Sequence, residues 1–355
     1  MINNKEKVNI LRKTGSQEKK PLFLALSDEL LADLSPRSKE IIQRRFGLLG
    51  ERAETLDKIG KRYGITRERV RQIISEALKS VCAKANDKSF LEAQEKIIFT
   101  INQNDGIIRV DEVIEKFNSD GQQEANAINF FVFCSRRINE SQEKGVFEKI
   151  WLTSENTLPE VKKVLAEAEK IIAQKDKLFT DEEVVKHLAQ IFPNFSQKKI
   201  LNFLKVSTKV KKNRFDKWGM KHWDQVTPKG TRERVHLILK EHDRPMHFTQ
   251  IAKLIDKFCL GKRKAHPQTV HNELIKDERF VLIGRGIYAL REWGYFEGTI
   301  QDVIKTILAE NNKPLKKEEI IQEVLKIRQV KSATISINLN NSKIFRKLGE
   351  SYILN

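Results

Sequence analysis

Cysteine and long apolar runs are both scarce in this chain of 355 residues. Its three cysteines, Cys82, Cys134 and Cys259, are far apart in the sequence and include no CxxC pair, so neither a disulfide framework nor a zinc site is indicated. No apolar run approaches the length of a membrane span, and the N-terminus lacks the apolar core of a signal peptide. These absences favour a protein of the reducing cytoplasm without a membrane partner.

Patterns typical of catalysis and of metal or phosphate binding are missing as well. The seven histidines show neither HExxH nor HxxxH spacing, and Gly284 and Gly286 lack the strand-to-helix context of a phosphate-binding loop. Acidic residues such as Asp111, Glu112 and Glu115 lie in amphipathic helical patterns, where solvation and the helix dipole explain them. The sequence therefore predicts no enzyme, no cofactor, no metal and no small-molecule substrate.

Positive charge is in clear excess over negative charge. The chain has 66 lysines and arginines against 48 aspartates and glutamates, which gives a formal net charge of +18. Such a surface binds DNA in a salt-dependent way, because neutralising phosphates releases counterions. The composition favours a nucleic-acid partner, although a basic soluble protein of another kind would have the same composition.

Residues 55–78, TLDKIGKRYGITRERVRQIISEAL, have the pattern of a helix-turn-helix. Gly64 stands where a left-handed residue would end the first helix, and Thr66 is a suitable N-cap for the second helix. Helical spacing predicts a core face made of Leu56, Ile59, Val70, Ile73 and Ala77. The second helix then presents a polar face made of Arg67, Glu68, Arg71, Gln72 and Ser75.

That polar face has the side chains that read bases in the major groove. Arginine contacts guanine O6 and N7, glutamate accepts from cytosine N4, and glutamine pairs with adenine. The alternative is the solvated face of an ordinary amphipathic helix. The segment just upstream, SPRSKEIIQRRFGLLGERAE at residues 35–54, favours the first interpretation. It starts with Ser35 as a cap and Pro36 at the first helical position, followed by an apolar stripe of Ile41, Ile42 and Phe46.

Taken together, residues 35–78 closely resemble region 4 of primary bacterial RNA polymerase sigma factors. The resemblance implies that Arg67, Glu68 and Gln72 read the upstream (minus 35) promoter element, with Arg71 beside them. It also implies a set of residues that lie along the DNA backbone and position the module: Arg37, Arg45, Thr55, Leu56 and Lys61. The same region of sigma factors docks on the flap of the polymerase β subunit, which implies a contact made by the helices around Ile41 to Phe46.

The sequence departs from a sigma factor in what lies upstream. A working sigma factor has a region 2, whose aromatic residues trap and melt the minus 10 element. Only 34 residues precede Ser35, with Phe23 as their single aromatic, and residues 1–20 have the composition of a disordered basic tail. We therefore expect that this chain cannot open a promoter by itself.

Beyond residue 88 a pattern recurs at intervals of about 60 to 70 residues, with three helices followed by a β-rich turn. This length and order are typical of a winged helix. The predicted fold class is mainly α, with tandem helix-turn-helix and winged-helix domains that have small β wings. The predicted domains are the tail at 1–20, the helix-turn-helix at 21–87 and winged helices at 88–156, 157–226, 227–295 and 296–355.

The third of these units has the clearest pattern. A hairpin is predicted from Phe280, turning at Gly284 and Gly286. The three predicted helices before it run from Thr231 to His242, Phe248 to Phe258 and Pro267 to Asp277. Residues 228–295 resemble the HARE-HTH domain, a winged helix also found in the RNA polymerase delta subunit and in chromatin and restriction-system proteins. The fourth unit repeats the plan, and its Phe345 corresponds to Phe280.

A basic cluster falls in the predicted wing of the second unit. Its members predicted to contact the DNA backbone are Lys209, Lys211, Lys212 and Arg214, interleaved with Phe215, Trp218 and Trp223. Such a wing would lie across phosphates with its aromatic residues packed beneath. The alternative is a soluble loop between domains, and the smaller patch at 262–264 allows the same two interpretations.

Two classes of function follow from these patterns. The first is a sequence-specific transcription factor of the nucleoid that reads a minus 35-type element in double-stranded DNA, while its winged helices hold flanking DNA or the polymerase core. The second is a polymerase-associated adaptor, similar to the delta subunit, that acts mainly by protein interaction. An enzyme such as a restriction component ranks third, because no nuclease motif accompanies the HARE-like segment.

Overall fold

The computed structural model describes residues 21–50, 52–118, 121–261, 263–295, 298–311, 313–328 and 330–355. Over these ranges the chain is mainly α-helical with small antiparallel sheets, so the predicted fold class is confirmed. The predicted tail at residues 1–20 lies outside the described residues, and so does Lys262 of the smaller basic patch. The chain divides into two compact units. The first has the described residues up to Ala168 and His187–Thr208, and the second has Glu169–Lys186 and Lys209–Asn355.

Four helices open the described chain: α1 (Leu22–Leu30), α2 (Pro36–Phe46), α3 (Leu56–Tyr63) and α4 (Arg67–Ala83). Their ends follow the local chemistry that the sequence predicts. The Ser35 hydroxyl accepts a hydrogen bond from the Ser38 amide at 3.3 Å, and Pro36 takes the first helical position. Gly47 ends α2 in the left-handed region at φ 70°.

After α4 the chain repeats one order of elements: helix, strand, helix, helix, strand, strand. The first repeat consists of α5 (Lys88–Asn102), β1 (Ile107–Arg109), α6 (Val110–Phe117), α7 (Gln122–Cys134), β2 (Asn139–Glu143) and β3 (Phe147–Leu152). The third consists of α11 (Thr231–His242), β6 (Met246–His247), α12 (Phe248–Lys257), α13 (Pro267–Lys276), β7 (Phe280–Gly284) and β8 (Ile287–Leu290). The fourth consists of α14 (Ile300–Asn311), β9 (Leu315–Lys316), α15 (Lys317–Ile327), α16 (Ser332–Leu339), β10 (Phe345–Leu348) and β11 (Ser351–Leu354).

These three repeats also share one sheet topology. The short first strand pairs antiparallel with the last strand, so the sheets run β1-β3-β2, β6-β8-β7 and β9-β11-β10. Phe280 and Phe345 each begin the first strand of a hairpin, as the sequence predicts. Both phenylalanines are buried in the core of their own repeat. The third-repeat hairpin turns at Gly286, whose φ is 68°.

The second repeat follows the same order without a full first strand. It consists of α8 (Leu158–Lys175), α9 (Asp181–Ile191), α10 (Gln197–Lys205), β4 (Val210–Lys212) and β5 (Trp218–Met220). A single antiparallel bridge between Phe179 and Trp218 stands where the other repeats pair a strand. A capping box begins α9, since Thr180 and Glu183 exchange backbone-to-side-chain hydrogen bonds of 2.9 and 3.2 Å.

One apolar cluster in the first compact unit extends from α1 to β3, with buried residues from Phe23 to Trp151. Helix α1 packs on α7, where the Phe23 and Phe131 rings lie 5.0 Å apart and edge to face. The ring of Phe46, at the end of α2, lies 4.9 Å from the ring of Phe130 in α7. The predicted boundary near residue 87 falls within this cluster, and the division of the chain into domains stays a prediction.

Polar groups of α7 complete this packing. The carboxylate of Glu124, only 1% exposed, accepts hydrogen bonds from the Phe23 and Leu24 amides at 3.0 and 3.1 Å, at the N-terminus of α1. The Gln123 and Asn126 amide groups donate to two carbonyl oxygens of the turn after α2, those of Leu48 and Gly47, at 2.7 and 3.0 Å. Helix α7 is the third helix of its repeat, the position that enters a DNA groove in a helix-turn-helix. Here its polar side chains contact other parts of the same chain.

Glu124 gives the first prediction, because α1 has no side-chain N-cap of its own. We expect Glu124→Ala to leave two helix N-terminal amides without their buried acceptor and to destabilise the packing of α1 on α7 by about 2 to 4 kcal/mol. Native-state hydrogen exchange would then be faster at the amides of α1 and α7, while amides of the fourth repeat keep their protection. Glu115→Ala, at an exposed site on α6, is the matched control. Unchanged exchange in α1 would contradict the assigned role.

Candidate nucleic-acid interface

The candidate interface is built on the turn between α3 and α4. Thr55 and Thr66 cap the two helices, their hydroxyls accepting from the Lys58 and Arg69 amides at 3.3 and 3.2 Å. Gly64 ends α3 in the left-handed region at φ 62°. The predicted helix-turn-helix, with its cap at Thr66 and its turn at Gly64, is confirmed.

The turn is tight because α3 comes close to the residue that precedes Thr66. The Ile65 amide donates to the Gly60 carbonyl at 3.0 Å. A Cβ added to Gly60 would lie 2.7 Å from the Ile65 carbonyl oxygen, a backbone atom that cannot rotate away. A glycine at position 60 therefore permits the crossing of the two helices, a requirement that the sequence analysis did not find.

The core beneath the turn agrees with most of the predicted apolar positions. Ile59, Val70 and Ala77 are buried, and Leu56 packs against the same cluster while half-buried. The predicted Ile73 and its neighbour Ile74, which was not predicted, both lie on the inner side of α4. Ile74 is buried, whereas the predicted Ile73 is half-buried at the edge of the core.

The opposite face of α4 is polar and exposed. All five residues of the predicted base-reading set have exposed side chains, namely Arg67, Glu68, Arg71, Gln72 and Ser75. Two of them are paired along the helix, with the Arg71 guanidinium 2.6 Å from the Glu68 carboxylate. Arg69 donates to the Gln72 side-chain carbonyl at 3.1 Å. The structure thus places the set on one accessible face, while its role in reading bases stays a prediction.

The Glu68–Arg71 pair favours the charged form of both groups. Hydrogen bonding from Arg71 lowers the pKa of the Glu68 carboxyl, and the same contact raises the pKa of the Arg71 guanidinium. Glu68 is therefore a carboxylate at neutral pH and offers only acceptors, as a contact with cytosine N4 requires. Since both side chains are exposed, their mutual contact can exchange for contacts with base edges.

The five residues predicted to lie along the DNA backbone have different surroundings. Lys61 is exposed, and the Arg37 guanidinium carbon lies 5.6 Å from the centre of the Tyr63 ring. Arg45 donates to the Glu54 carbonyl at 3.0 Å. The Thr55 hydroxyl accepts at the α3 cap, and its hydrogen can still donate to a phosphate. The Leu56 side chain is half-buried and apolar, so Leu56 can offer only its backbone amide at the start of α3.

Sequence reasoning missed Glu54, which organises the cations of this module. It is 3% exposed, and its carboxylate lies 3.6 Å from Arg44, 3.2 Å from Lys58 and 3.5 Å from Arg62. Its own amide donates to the Arg44 carbonyl at 2.9 Å. A carboxylate held by three cations fixes the loop between α2 and α3. The only signal in the sequence is an acidic residue placed among basic ones.

More of the positive charge in the basic wing of the second repeat is paired with acidic side chains than the sequence suggests. Lys209 lies 2.8 Å from Glu169, and Lys212 lies 2.9 Å from Asp181. The Trp218 indole N–H donates to the same Asp181 carboxylate at 2.6 Å, and its ring is buried as predicted for the wing aromatics. Among the other predicted contacts, Arg214 is exposed and Lys211 is half-buried. These acid partners reduce the positive potential that the wing offers to DNA.

The part of the chain that the structure describes contains no group of three or more histidine, cysteine, aspartate or glutamate side chains placed to hold a metal ion. None of its helices combines the length and the apolar character needed to cross a membrane.

Gly60 gives the second prediction. Gly60→Ala replaces glycine by a better helix former, yet we expect it to destabilise the helix-turn-helix by about 1 to 3 kcal/mol, because the new methyl group overlaps the Ile65 carbonyl. Hydrogen exchange at the amides of α3 and α4 is the measurement. Glu76→Ala, at an exposed site on α4, adds an alanine without a clash and should leave exchange unchanged. Equal protection in both variants would show that the close approach at Gly60 is unimportant.

Comparisons with known proteins concern this same module. Residues 30–81 match the model of the family Sigma-70, region 4. The RNA polymerase principal sigma factor HrdD of Streptomyces coelicolor is 43% identical over 63 residues, which are 18% of this chain and 19% of that protein. RNA polymerase sigma factor SigA of Clostridium acetobutylicum is 43% identical over 62 residues, 17% of this chain and 16% of that protein. The chain thus spans less than a fifth of the curated relatives it matches. Residues 30–81 carry a Sigma-70 region 4 domain.

Proposed function

We propose that this chain is a sequence-specific transcription regulator that binds double-stranded DNA and reads a minus 35-type promoter element with α4. The observation that carries the proposal is the exposed polar face of α4, from Arg67 to Ser75, within the domain that matches Sigma-70 region 4. The net charge of +18 supports a nucleic-acid partner and a location in the nucleoid. No catalytic step is part of the proposal, and the chain acts as a binding protein.

The proposed reading mechanism divides contacts between specificity and position. Helix α4 enters the major groove, where Arg67 grips guanine, Gln72 pairs with adenine and Glu68 accepts from cytosine. Arg71 and Glu68 exchange their mutual hydrogen bonds for base edges as the helix enters. Lys61 and the amides at the start of α3 contact phosphates and set the register of the module on the duplex.

In this proposal the regulator works with bacterial RNA polymerase, because the relatives that match its region 4 domain are named as RNA polymerase sigma factors. A contact with the β flap would use the surface around Phe46. Ile41 and Ile42 are fully buried and can only support that surface from beneath. Phe133 of α7 is exposed and lies 5.4 Å from the Phe46 ring, so any polymerase segment that docks there meets both the region 4 domain and the first repeat.

The later repeats extend the proposed contact with DNA or polymerase. The likeness of residues 228–295 to the HARE-HTH domain supports a delta-like role for the third repeat. Its third helix, α13, buries Val270 and Leu274 and leaves Gln268 and Asn272 exposed. That face can contact flanking DNA, in contrast to the buried face of α7.

A second candidate function is an adaptor that acts mainly by protein interaction. Two observations favour it: the third helix of the first repeat uses Gln123, Glu124 and Asn126 in contacts within the chain and so does not present them to DNA, and wing lysines Lys209 and Lys212 already have acidic partners. In that case the region 4 domain would locate the chain at promoters or on polymerase without governing site choice.

The third prediction separates base reading from backbone contact by comparing changes that each remove one positive charge. After selection of bound fragments from genomic DNA, Arg67→Ala should lower affinity for the selected site by about 1 to 3 kcal/mol and leave affinity for random DNA nearly unchanged. Gln72→Ala should act in the same direction without a charge change. Lys61→Ala should weaken binding to both the selected site and random DNA and preserve the ratio of the two affinities. Binding isotherms on the two DNAs give the ratio. If Arg67→Ala and Gln72→Ala both leave it unchanged, the adaptor function is favoured.

The fourth prediction concerns the basic wing. Changing Lys209, Lys211 and Lys212 together to alanine should weaken binding to all sequences and shallow the slope of log affinity against log salt. Three phosphate contacts would account for a slope change of roughly 2.7. We expect a clearly smaller change, because Glu169 and Asp181 already hold two of these lysines. Binding measured from low to moderate salt gives the slope, and an unaltered slope would remove the wing from the DNA-binding surface.

A further inference from the structure

Acidic and basic side chains of the fourth repeat are segregated along the chain. In α14 and α15 lysines have acidic partners, since Lys305 lies 3.6 Å from Asp302 and Lys326 lies 2.7 Å from Glu323. Residues 331–355 have four basic residues against one acidic residue. Within the described part of the chain, none of these four cations forms an ion pair. They are Lys331, Lys343, Arg346 and Lys347, and all four are exposed.

The fold places these cations on the third helix and the hairpin of the repeat. Lys331 is the N-cap of α16, and Arg346 lies on β10, an edge strand of its sheet. The inner face of α16, formed by Ile335 and Leu339, packs in the same core as Phe345 of β10. The opposite face of α16 therefore points away from the core of the repeat.

The outer face of α16 has the side chains of a groove-binding helix. Ala333, Ile337 and Asn340 are exposed at positions i, i+4 and i+7, so they share one side of the helix. Apolar side chains contact the thymine methyl group in the major groove, and asparagine pairs with adenine. Ile337 is 70% exposed, and an isoleucine this exposed gains free energy when a partner covers it.

The hairpin of the third repeat adds a further cation beside α16. Arg328, only 5% exposed, donates to the Leu282 carbonyl in β7 and to the Gly298 carbonyl at 2.6 Å. This buried guanidinium joins the third-repeat hairpin to the start of the fourth repeat. Arg285, exposed at the turn of that hairpin, lines one cleft together with Lys331. Positive charge therefore continues from the N-terminus of α16 to the neighbouring hairpin.

We propose that the fourth repeat is a second binding site for double-stranded DNA, with α16 in the major groove and Lys343, Arg346 and Lys347 on phosphates. Exposed cations without acidic partners fit a phosphate backbone, because each can replace a condensed counterion. Most of these contacts go to phosphates, so the site adds affinity for any duplex and contributes little to base choice. The site rests on the proposed DNA partner, but a duplex of random sequence tests it without base reading by α4.

The first experiment measures binding of the full chain to a random-sequence duplex over a range of salt. Arg346→Ala combined with Lys347→Ala should weaken binding and lower the slope of log affinity against log salt by roughly 1.8, as two lost phosphate contacts require. Lys305→Ala combined with Lys326→Ala also removes two positive charges from the fourth repeat, but at sites that have acidic partners, and should change the slope much less. Equal slopes in the two double variants would overturn the proposal and leave the β10 cations only the protection of an edge strand.

The second experiment tests the face of α16 itself. Ile337→Glu puts a carboxylate where the proposal places DNA, and should lower affinity for the random duplex about tenfold by repulsion from phosphates. Leu325→Glu, at a 43% exposed site on α15, makes the same change of charge and should leave affinity close to that of the parent chain. Both sites are exposed, so circular dichroism should show an unchanged fold. Equal losses of affinity in the two variants would overturn the proposal.

Failure of this site and failure of base reading by α4 are separate results. The ratio of affinities for selected and random DNA reports base reading, and Ile337→Glu should leave that ratio unchanged while it lowers both affinities. Loss of the ratio in Arg67→Ala with both affinities still sensitive to Ile337→Glu would support the second site. If Ile337→Glu leaves both affinities unchanged and instead prevents binding to core polymerase in gel filtration, the surface binds protein and the proposal is wrong.

Discussion

The first compact unit depends on one buried interaction, the contact between the Glu124 carboxylate and the N-terminus of α1. A charge with 1% exposure is costly unless it is hydrogen-bonded, and the Phe23 and Leu24 amides supply the donors together with the positive end of the helix dipole. Once this contact forms, α1 lies on α7 and the Phe23 ring meets Phe131. The helix-turn-helix therefore sits on a shared core, and its orientation follows from packing in the neighbouring repeat.

Repeats with one topology do not have to share one role. In the first repeat, α7 directs polar groups such as Gln123 and Asn126 to the turn after α2, and its Phe130 and Phe131 fill the same core. In the third repeat, α13 buries only Val270 and Leu274 within its described span and exposes Gln268 and Asn272. The side-chain chemistry of the third helix decides whether a winged helix binds its own chain or presents a face to a partner.

The sequence predicted structure well where the cause is local. The caps at Ser35 and Thr66 and the turn at Gly64 depend on residues within four positions, so the letters alone carry the information. It predicted poorly where the partner is distant. Glu124 lies about a hundred residues from Phe23, and Gln123 donates to the carbonyl of Leu48 across a separation of 75 residues. Periodicity indicates that a face is buried but not which element covers it.

The same limit applies to charge. A net charge of +18 counts every lysine equally, whereas the fold does not present them equally. Glu54 holds Arg44, Lys58 and Arg62, and acidic partners hold Lys209 and Lys212. Arg67 and Lys61, by contrast, are exposed beside the turn. An attraction set by total charge would draw DNA to many parts of the surface, so under the proposed function site choice would come from the few groups that the helix-turn-helix presents outward. The position of those groups depends on Gly60 and the shared core, so packing far from any base would then govern recognition.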